Sequence, residues 1–287
     1  MLGDWIKLLR PRQWTKNLFV LAPLVFARKM FEPRLLALSL LAFVLFCVLS
    51  SAVYIINDAI DIEEDRRHPL KRNRPLAAGR VAVSHALLLA SVLAASSLVI
   101  AWLIHPLFGP VMSAYLALNI LYSLWLKKVP IVDLVSIAAG FVLRVVGGAE
   151  VIQVDISRWL VLCTFCLAFF LGLGKRHHEL LTSNSDSRRS LAGLSPRSLT
   201  RWEYTTLVVT MLAYLAYTMD PETVSKFNTH ALALTSPFCL VGMLRYLKLV
   251  HRKTDLTPTD ALVTDLPSVL NVLGWGATAV GIIYFSG

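Results

Sequence analysis

From Leu35 to Asn57 the chain runs 23 residues without a charged side chain, and apolar stretches of that kind recur along its length. About 20 apolar residues in an α-helix cross the hydrocarbon core of a bilayer, and the helix satisfies its own backbone hydrogen bonds while doing so. The runs are too long for soluble core helices and lack the alternation of barrel strands, so the sequence demands an all-α integral membrane protein. Composition agrees, with 56% hydrophobic and 16% charged residues among 287 and a mean hydropathy of +0.63. Charged and Gly/Pro punctuation divides the chain into nine expected transmembrane helices, near 17–32, 35–59, 82–104, 107–126, 131–152, 157–174, 200–219, 229–250 and 266–286. The first holds Pro23 and is expected to kink.

With the N-terminus cytoplasmic, the inner segments carry 22 of the 28 Lys and Arg residues, which predicts a multi-pass protein of the inner (plasma) membrane with its polar segments facing the cytoplasm. The two longest, about 60–81 and 175–199, read as cytoplasmic cap loops over a single domain spanning 1–287. The net charge of +10 lies in short segments beside the bilayer, which points to anionic lipid or a phosphorylated substrate rather than nucleic acid. All four cysteines fall in apolar spans, and "CTFC" without a second ligand pair reads as packing.

The second span ends in "NDAIDIEEDRRHPLKRNRP". If its helix continues, Asn57, Asp58, Asp61 and Asp65 share a face about 100° wide. Three carboxylates on one face repel each other unless a cation sits among them. Carboxylate and amide oxygens suit Mg²⁺, and Lys71, Arg72 and Arg74 follow within one loop. Magnesium and fixed cations together hold a diphosphate leaving group and offset its developing charge.

These residues resemble the N-D-x-x-D-x-x-x-D and K-x-x-R-P signature of the UbiA superfamily of intramembrane prenyltransferases. "LRPRQWTKN" near the N-terminus and "YSLWLKK" at 122–128 are similar to the family as well. The resemblance implies a helical bundle around a lipid-accessible cavity, with cytoplasmic caps over a magnesium diphosphate site. It makes Asn57, Asp58, Asp61 and Asp65 the metal ligands, with Asp58 and Asp61 catalytic, and Lys71 and Arg74 the contacts of the diphosphate.

After the sixth span the family carries a second aspartate pair, where this chain reads "LGLGKRHHELLTSNSDSRRS". Lys175, Arg176, His177 and Glu179 replace the pair and Asp186 stands alone. That segment, with "VPIVDLVSIAAGFVLRVVGG" before it, is similar to the decaprenyl-phosphate phosphoribosyltransferase branch. The resemblance implies transfer of 5-phosphoribose from phosphoribosyl diphosphate to a polyprenyl phosphate, toward a lipid-linked arabinose donor. Lys16, Lys127, Arg176 and a catalytic Lys175 are then expected to meet the acceptor phosphate and the 5-phosphate. The alternative is prenyl transfer from a polyprenyl diphosphate to an aromatic acceptor such as 4-hydroxybenzoate. A transporter is disfavoured, because the acidic residues gather at one helix end instead of a midplane pathway.

Glu179 stands four residues after Lys175, the spacing of a helical ion pair, and is expected either to orient that lysine or to bind ribose hydroxyls or a second metal. His177 and His178 have no metal-ligand constellation around them and read as cap or interfacial residues rather than ligands. Arg144 lies inside an apolar span and is expected to face a substrate cavity. Tyr122 resembles a tyrosine of the family's fourth-span motif, and Tyr54 precedes the acidic cluster by one turn; both are expected at the substrate. Gly140, Gly147 and Gly148 are expected where helices approach closely. Oligomeric state, a homo-oligomer included, is open.

Overall fold

The computed structural model describes residues 2–69, 71–182, 195–252, 262 and 264–285. Asp186 and the rest of the second expected cap at 183–194 lie outside the described residues. Every described element is helical. In chain order they are α1 (Leu2–Leu9), a 3₁₀ segment Pro11–Leu21, α2 (Ala22–Phe26), α3 (Pro33–Ile60), α4 (Ile62–Arg67), α5 (Val83–Ile104), α6 (Phe108–Leu124), α7 (Val132–Ile152), α8 (Arg158–Thr182), α9 (Pro196–Met219), α10 (Pro221–Phe227), α11 (Ser236–Val250) and α12 (Leu266–Phe285). Short 3₁₀ turns at Lys71–Asn73, Leu126–Lys128 and Ala231–Thr235 join some of them.

Among the described residues six helical stretches are long and apolar enough to cross a membrane: α3, α5, α7, α8, Ala231–Val250 and α12. They coincide with six of the nine expected spans. The expected span 107–126 forms the shorter apolar α6, and that at 200–219 is the later part of α9, whose first turns carry Arg197, Arg201 and Glu203. The expected span 17–32 is not one helix. It is divided between the 3₁₀ segment and the five-residue α2, and Pro23, which lacks the N–H that a continuous α-helix would use, stands in the first turn of α2. At the longer rise per residue of the tightly wound 3₁₀ helix, these eleven and five residues have a contour of about 30 Å.

The chain forms two compact units, Met1–Lys127 with Gly140–Ile156, and Lys128–Ala139 with Ser157–Gly287. In the first, α3 packs on α5, α6, α1 and the 3₁₀ segment. Helix α5 shows how a membrane helix chooses its faces. Ala86, Ala90, Ser97 and Ala101 are buried, while Leu88, Val92, Val99 and Leu103, at the same spacing two residues on, are exposed. Small residues let backbones approach, and large apolar ones meet lipid, which reverses the pattern of a soluble helix. Gly148 serves the same end, since a Cβ there would lie 2.0 Å from the Val20 carbonyl oxygen. In the second unit α8 packs on α9, and α11 contacts α8, α9 and α12. Gly174 of α8 lies against the ring of Tyr246.

Candidate active site

Helix α3 bends at Asp61, yet the Asp61 N–H still donates to the Asn57 carbonyl at 2.9 Å and the Asp65 N–H to the Asp61 carbonyl at 2.8 Å. The helical register therefore carries through into α4. Asp58 and Asp65, seven residues apart, fall on one face and are both buried. A single atom, Arg74 Nη1, donates to Asp58 Oδ1 at 3.0 Å and to Asp65 Oδ2 at 2.7 Å. Arg10 also donates to Asp58 Oδ1, and Lys127 to Asp61 Oδ1. Asn57 Nδ2 reaches Asp61 Oδ2 at 3.2 Å. Three carboxylates thus meet three cations, brought from the N-terminal segment, the loop after α4 and the turn after α6.

Arg10 reaches this position at a backbone cost. It has φ 51°, ψ 58° and precedes Pro11, a left-handed conformation that a side chain and a following proline both oppose. Such strain persists where surrounding contacts over-determine it, as at functional sites. Here the guanidinium stacks 5.0 Å from the centroid of Tyr54, which joins that residue to the acidic cluster. Trp14 Nε1 bonds Ser51 Oγ at 3.1 Å, and Ser51 Oγ bonds the Leu9 carbonyl at 2.8 Å, so the N-terminal segment is tied to α3 on both sides of Arg10.

The donor set fits a hard divalent cation. Carboxylate oxygens of Asp58 and Asp65 already converge on one positive atom, with Asp61 and the Asn57 amide one turn away. Mg²⁺ is held by one or two carboxylates with water and phosphate completing its shell, which this arrangement offers.

Arg144 belongs to a different network of the first unit. It is buried and donates from Nε to Asn17 Oδ1 at 2.7 Å, from Nη1 to the Gly140 carbonyl at 2.9 Å and from Nη2 to the Tyr115 hydroxyl at 2.7 Å. Its guanidinium also lies 4.8 Å and 5.1 Å from the centroids of Tyr115 and Phe141. Lys16, Lys71 and Tyr122 are half-buried in the same unit.

In the second unit Arg176 is buried between two carboxylates. Its Nε donates to Asp133 Oδ2 at 2.6 Å and its Nη1 to Glu179 Oε2 at 2.5 Å. Glu179 thus accepts from the residue three positions back, and Lys175, four positions back, is half-buried. His177 and His178, expected as cap or interfacial residues, are buried instead: the first meets Glu203 at 2.9 Å and the second the Val250 carbonyl at 2.9 Å. Arg10, Asp133 and Glu203 were missed from the sequence. The signal available was a basic residue before "PRQW", and acidic residues beside or within apolar runs.

The model of the UbiA prenyltransferase family matches residues 18–269. The chain belongs to the UbiA prenyltransferase family. It is a multi-pass membrane enzyme of that family. It is 33% identical over its full length to the decaprenyl-phosphate phosphoribosyltransferase of Mycolicibacterium smegmatis, covering 94% of that protein. It is 32% identical over 97% of its length to the enzyme of the same name from Corynebacterium glutamicum, covering 86% of it. Its fold is similar to that of a UbiA homolog from Archaeoglobus fulgidus bound to GPP and Mg2+, with a TM-score of 0.73, 18% identity, and 98% and 99% of the two chains covered. These UbiA relatives span the whole chain, so the acidic cluster and the residues around Arg176 both lie within the matched region.

Proposed function

We propose that this UbiA enzyme transfers 5-phosphoribose from 5-phosphoribosyl 1-diphosphate to a polyprenyl phosphate, with release of diphosphate at the cytoplasmic face of the plasma membrane. The observation that carries the diphosphate chemistry is the matching of Asp58, Asp61 and Asp65 by Arg10, Arg74 and Lys127. The full-length likeness to two decaprenyl-phosphate phosphoribosyltransferases supports phosphoribosyl as the group transferred.

Asn57, Asp58, Asp61 and Asp65 would hold Mg²⁺, which supplies electrostatic activation of the diphosphate when bound. Arg10, Arg74 and Lys127, which neutralise these carboxylates in the structure, would with Lys71 bind the diphosphate oxygens and offset their charge as the leaving group departs. An acceptor phosphate oxygen attacks the anomeric carbon, the bond from that carbon to the diphosphate oxygen breaks, and the leaving group departs with the electron pair. The acceptor phosphate is ionised near neutral pH, so positioning replaces a general base. Lys16 and Lys175 serve the acceptor phosphate and the 5-phosphate. Arg176, whose charge is matched by Asp133 and Glu179, acts as a positioning residue that sets Glu179 for the ribose hydroxyls. Tyr54 and Tyr122 flank the donor, and Arg144 holds Asn17 and Tyr115 in the buried network of the first unit.

The test supplies purified protein and Mg²⁺ with labelled phosphoribosyl diphosphate plus polyprenyl phosphate, and separately with polyprenyl diphosphate plus 4-hydroxybenzoate. Product in the first mixture is expected. Product in the second alone would make the protein a prenyltransferase for aromatic acceptors.

A further inference from the structure

Three side chains of the second unit meet around a buried carboxylate that the transfer reaction does not use. His177 comes from α8, Glu203 from α9 and His251 from the residue that follows α11, and their ligand atoms all lie within 4.8 Å of one another. Glu203 is fully buried; its Oε1 faces His177 Nδ1 at 2.9 Å, and its Oε2 has no hydrogen-bond partner among the described residues. A buried carboxylate oxygen left unpaired costs several kcal/mol unless a proton or a cation reaches it. The rings of His177 and His251 meet edge to face at 5.1 Å.

We infer that His177, Glu203 and His251 form a transition-metal site that clamps α8, α9 and α11, with Zn²⁺ as its natural occupant. Two imidazoles and one carboxylate are a donor set that borderline cations such as Zn²⁺ take readily and Mg²⁺ does not. His251 Nδ1 lies 2.8 Å from the Leu247 carbonyl, an acceptor, so Nδ1 carries the proton and Nε2 keeps its lone pair. That is the arrangement in which histidine ligands are usually held by a second group. Ligand atoms about 2.0–2.2 Å from a tetrahedral ion lie about 3.3–3.6 Å apart, so shifts on the order of 1 Å close the site. His251 is exposed, which gives an ion a way in and leaves the fourth position to water.

The proposed ligand His177 follows Arg176 in the chain, so an ion bound there would fix the part of α8 that carries Lys175, Arg176 and Glu179. The neighbouring His178 is turned to the Val250 carbonyl and takes no part.

Detergent-purified protein, stripped with chelator, is titrated with Co²⁺ and followed by visible absorption. One equivalent is expected to give the intense bands of a four- or five-coordinate ion, displaced by equimolar Zn²⁺ but not by millimolar Mg²⁺. The bands should persist in Asp61→Asn, which impairs the acidic cluster of the first unit, and be lost in Glu203→Gln and in His251→Gln. Because Glu203→Gln alters a buried group, the exposed His251→Gln variant is the deciding one, and Zn²⁺ should raise the unfolding temperature of the wild type but not of this variant. Wild-type protein without such bands, bands retained in folded His251→Gln, or bands lost in Asp61→Asn would each overturn the assignment.

Discussion

Asp58 and Asp65 hold the same nitrogen: Arg74 Nη1 is 3.0 Å from the one and 2.7 Å from the other. The lysine side chain ends one atom short of the position of Nη1, so from the same backbone its ammonium does not hold both oxygens. Arg74→Lys should lower kcat about 100-fold, the scale of losing one aligned charge contact in the transition state. It should also raise the Mg²⁺ concentration needed for half-maximal rate. Steady-state kinetics across a magnesium series measures both.

Lys127 and Asp61 form an ion pair that the reaction is proposed to open. Asp61→Asn and Lys127→Gln should each depress turnover, and the double variant should lose less than the two effects together. A coupling on the order of 0.5–3 kcal/mol is expected for groups in contact. Full additivity in a double-mutant cycle would show that the two side chains act separately.

Gly148→Ala places a methyl 2.0 Å from the Val20 carbonyl oxygen, a backbone atom that cannot turn aside. Overpacking of this kind typically costs about 1–3 kcal/mol. The variant should unfold at lower temperature in detergent, whereas Gly276→Ala, with nothing within 4 Å of the added carbon, should not.

Removing the Arg144 guanidinium strands Asn17 Oδ1 and the Tyr115 hydroxyl among buried groups. Arg144→Met should therefore destabilise the first unit by roughly 1–3 kcal/mol for each polar group left unpaired. Asn17→Leu combined with Arg144→Met should recover part of the loss in thermal unfolding, since both halves of that bond are then apolar.

Asp265 precedes α12 and accepts two hydrogen bonds from Arg245, at 2.7 and 3.0 Å, with Ser268 completing the set at 2.6 Å. The Arg245 bonds, followed by those from Ser268, hold its carboxyl well below the usual carboxylate range. A depressed pKa contributes stability above the unfolded value of about 3.9, and that contribution is lost as pH falls toward the folded value. The difference in unfolding temperature between wild type and Asp265→Asn should be steady above about pH 5 and shrink as the solution is acidified below about pH 4. A gap that widens in acid would contradict the sign of the shift.

Much of the acidic site is visible in the chain as written. The spacing of Asn57, Asp58, Asp61 and Asp65 assigns one helical face, and that face survives the bend at Asp61 because the i to i−4 bonds run through it. The apolar lengths of α3, α5, α7, α8 and α12 likewise mark candidate membrane spans directly, since bilayer thickness and helix rise fix the length required. What spacing could not show is which cations meet those carboxylates. Arg10 lies 48 residues from Asp58 and Lys127 lies 66 from Asp61.

The same limit explains the histidines. Read along the chain, His177 has no ligand neighbours; in space it meets Glu203, 26 residues on, and His251, from a third helix end. Local sequence sets helix period, helix length and the residues that share a face, because those depend on bonds spanning four residues. Partners across helices, and with them the strained Arg10, the buried Asp133–Arg176 pair and the His177, Glu203 and His251 cluster, are decided by how the helices pack, which only the tertiary structure fixes.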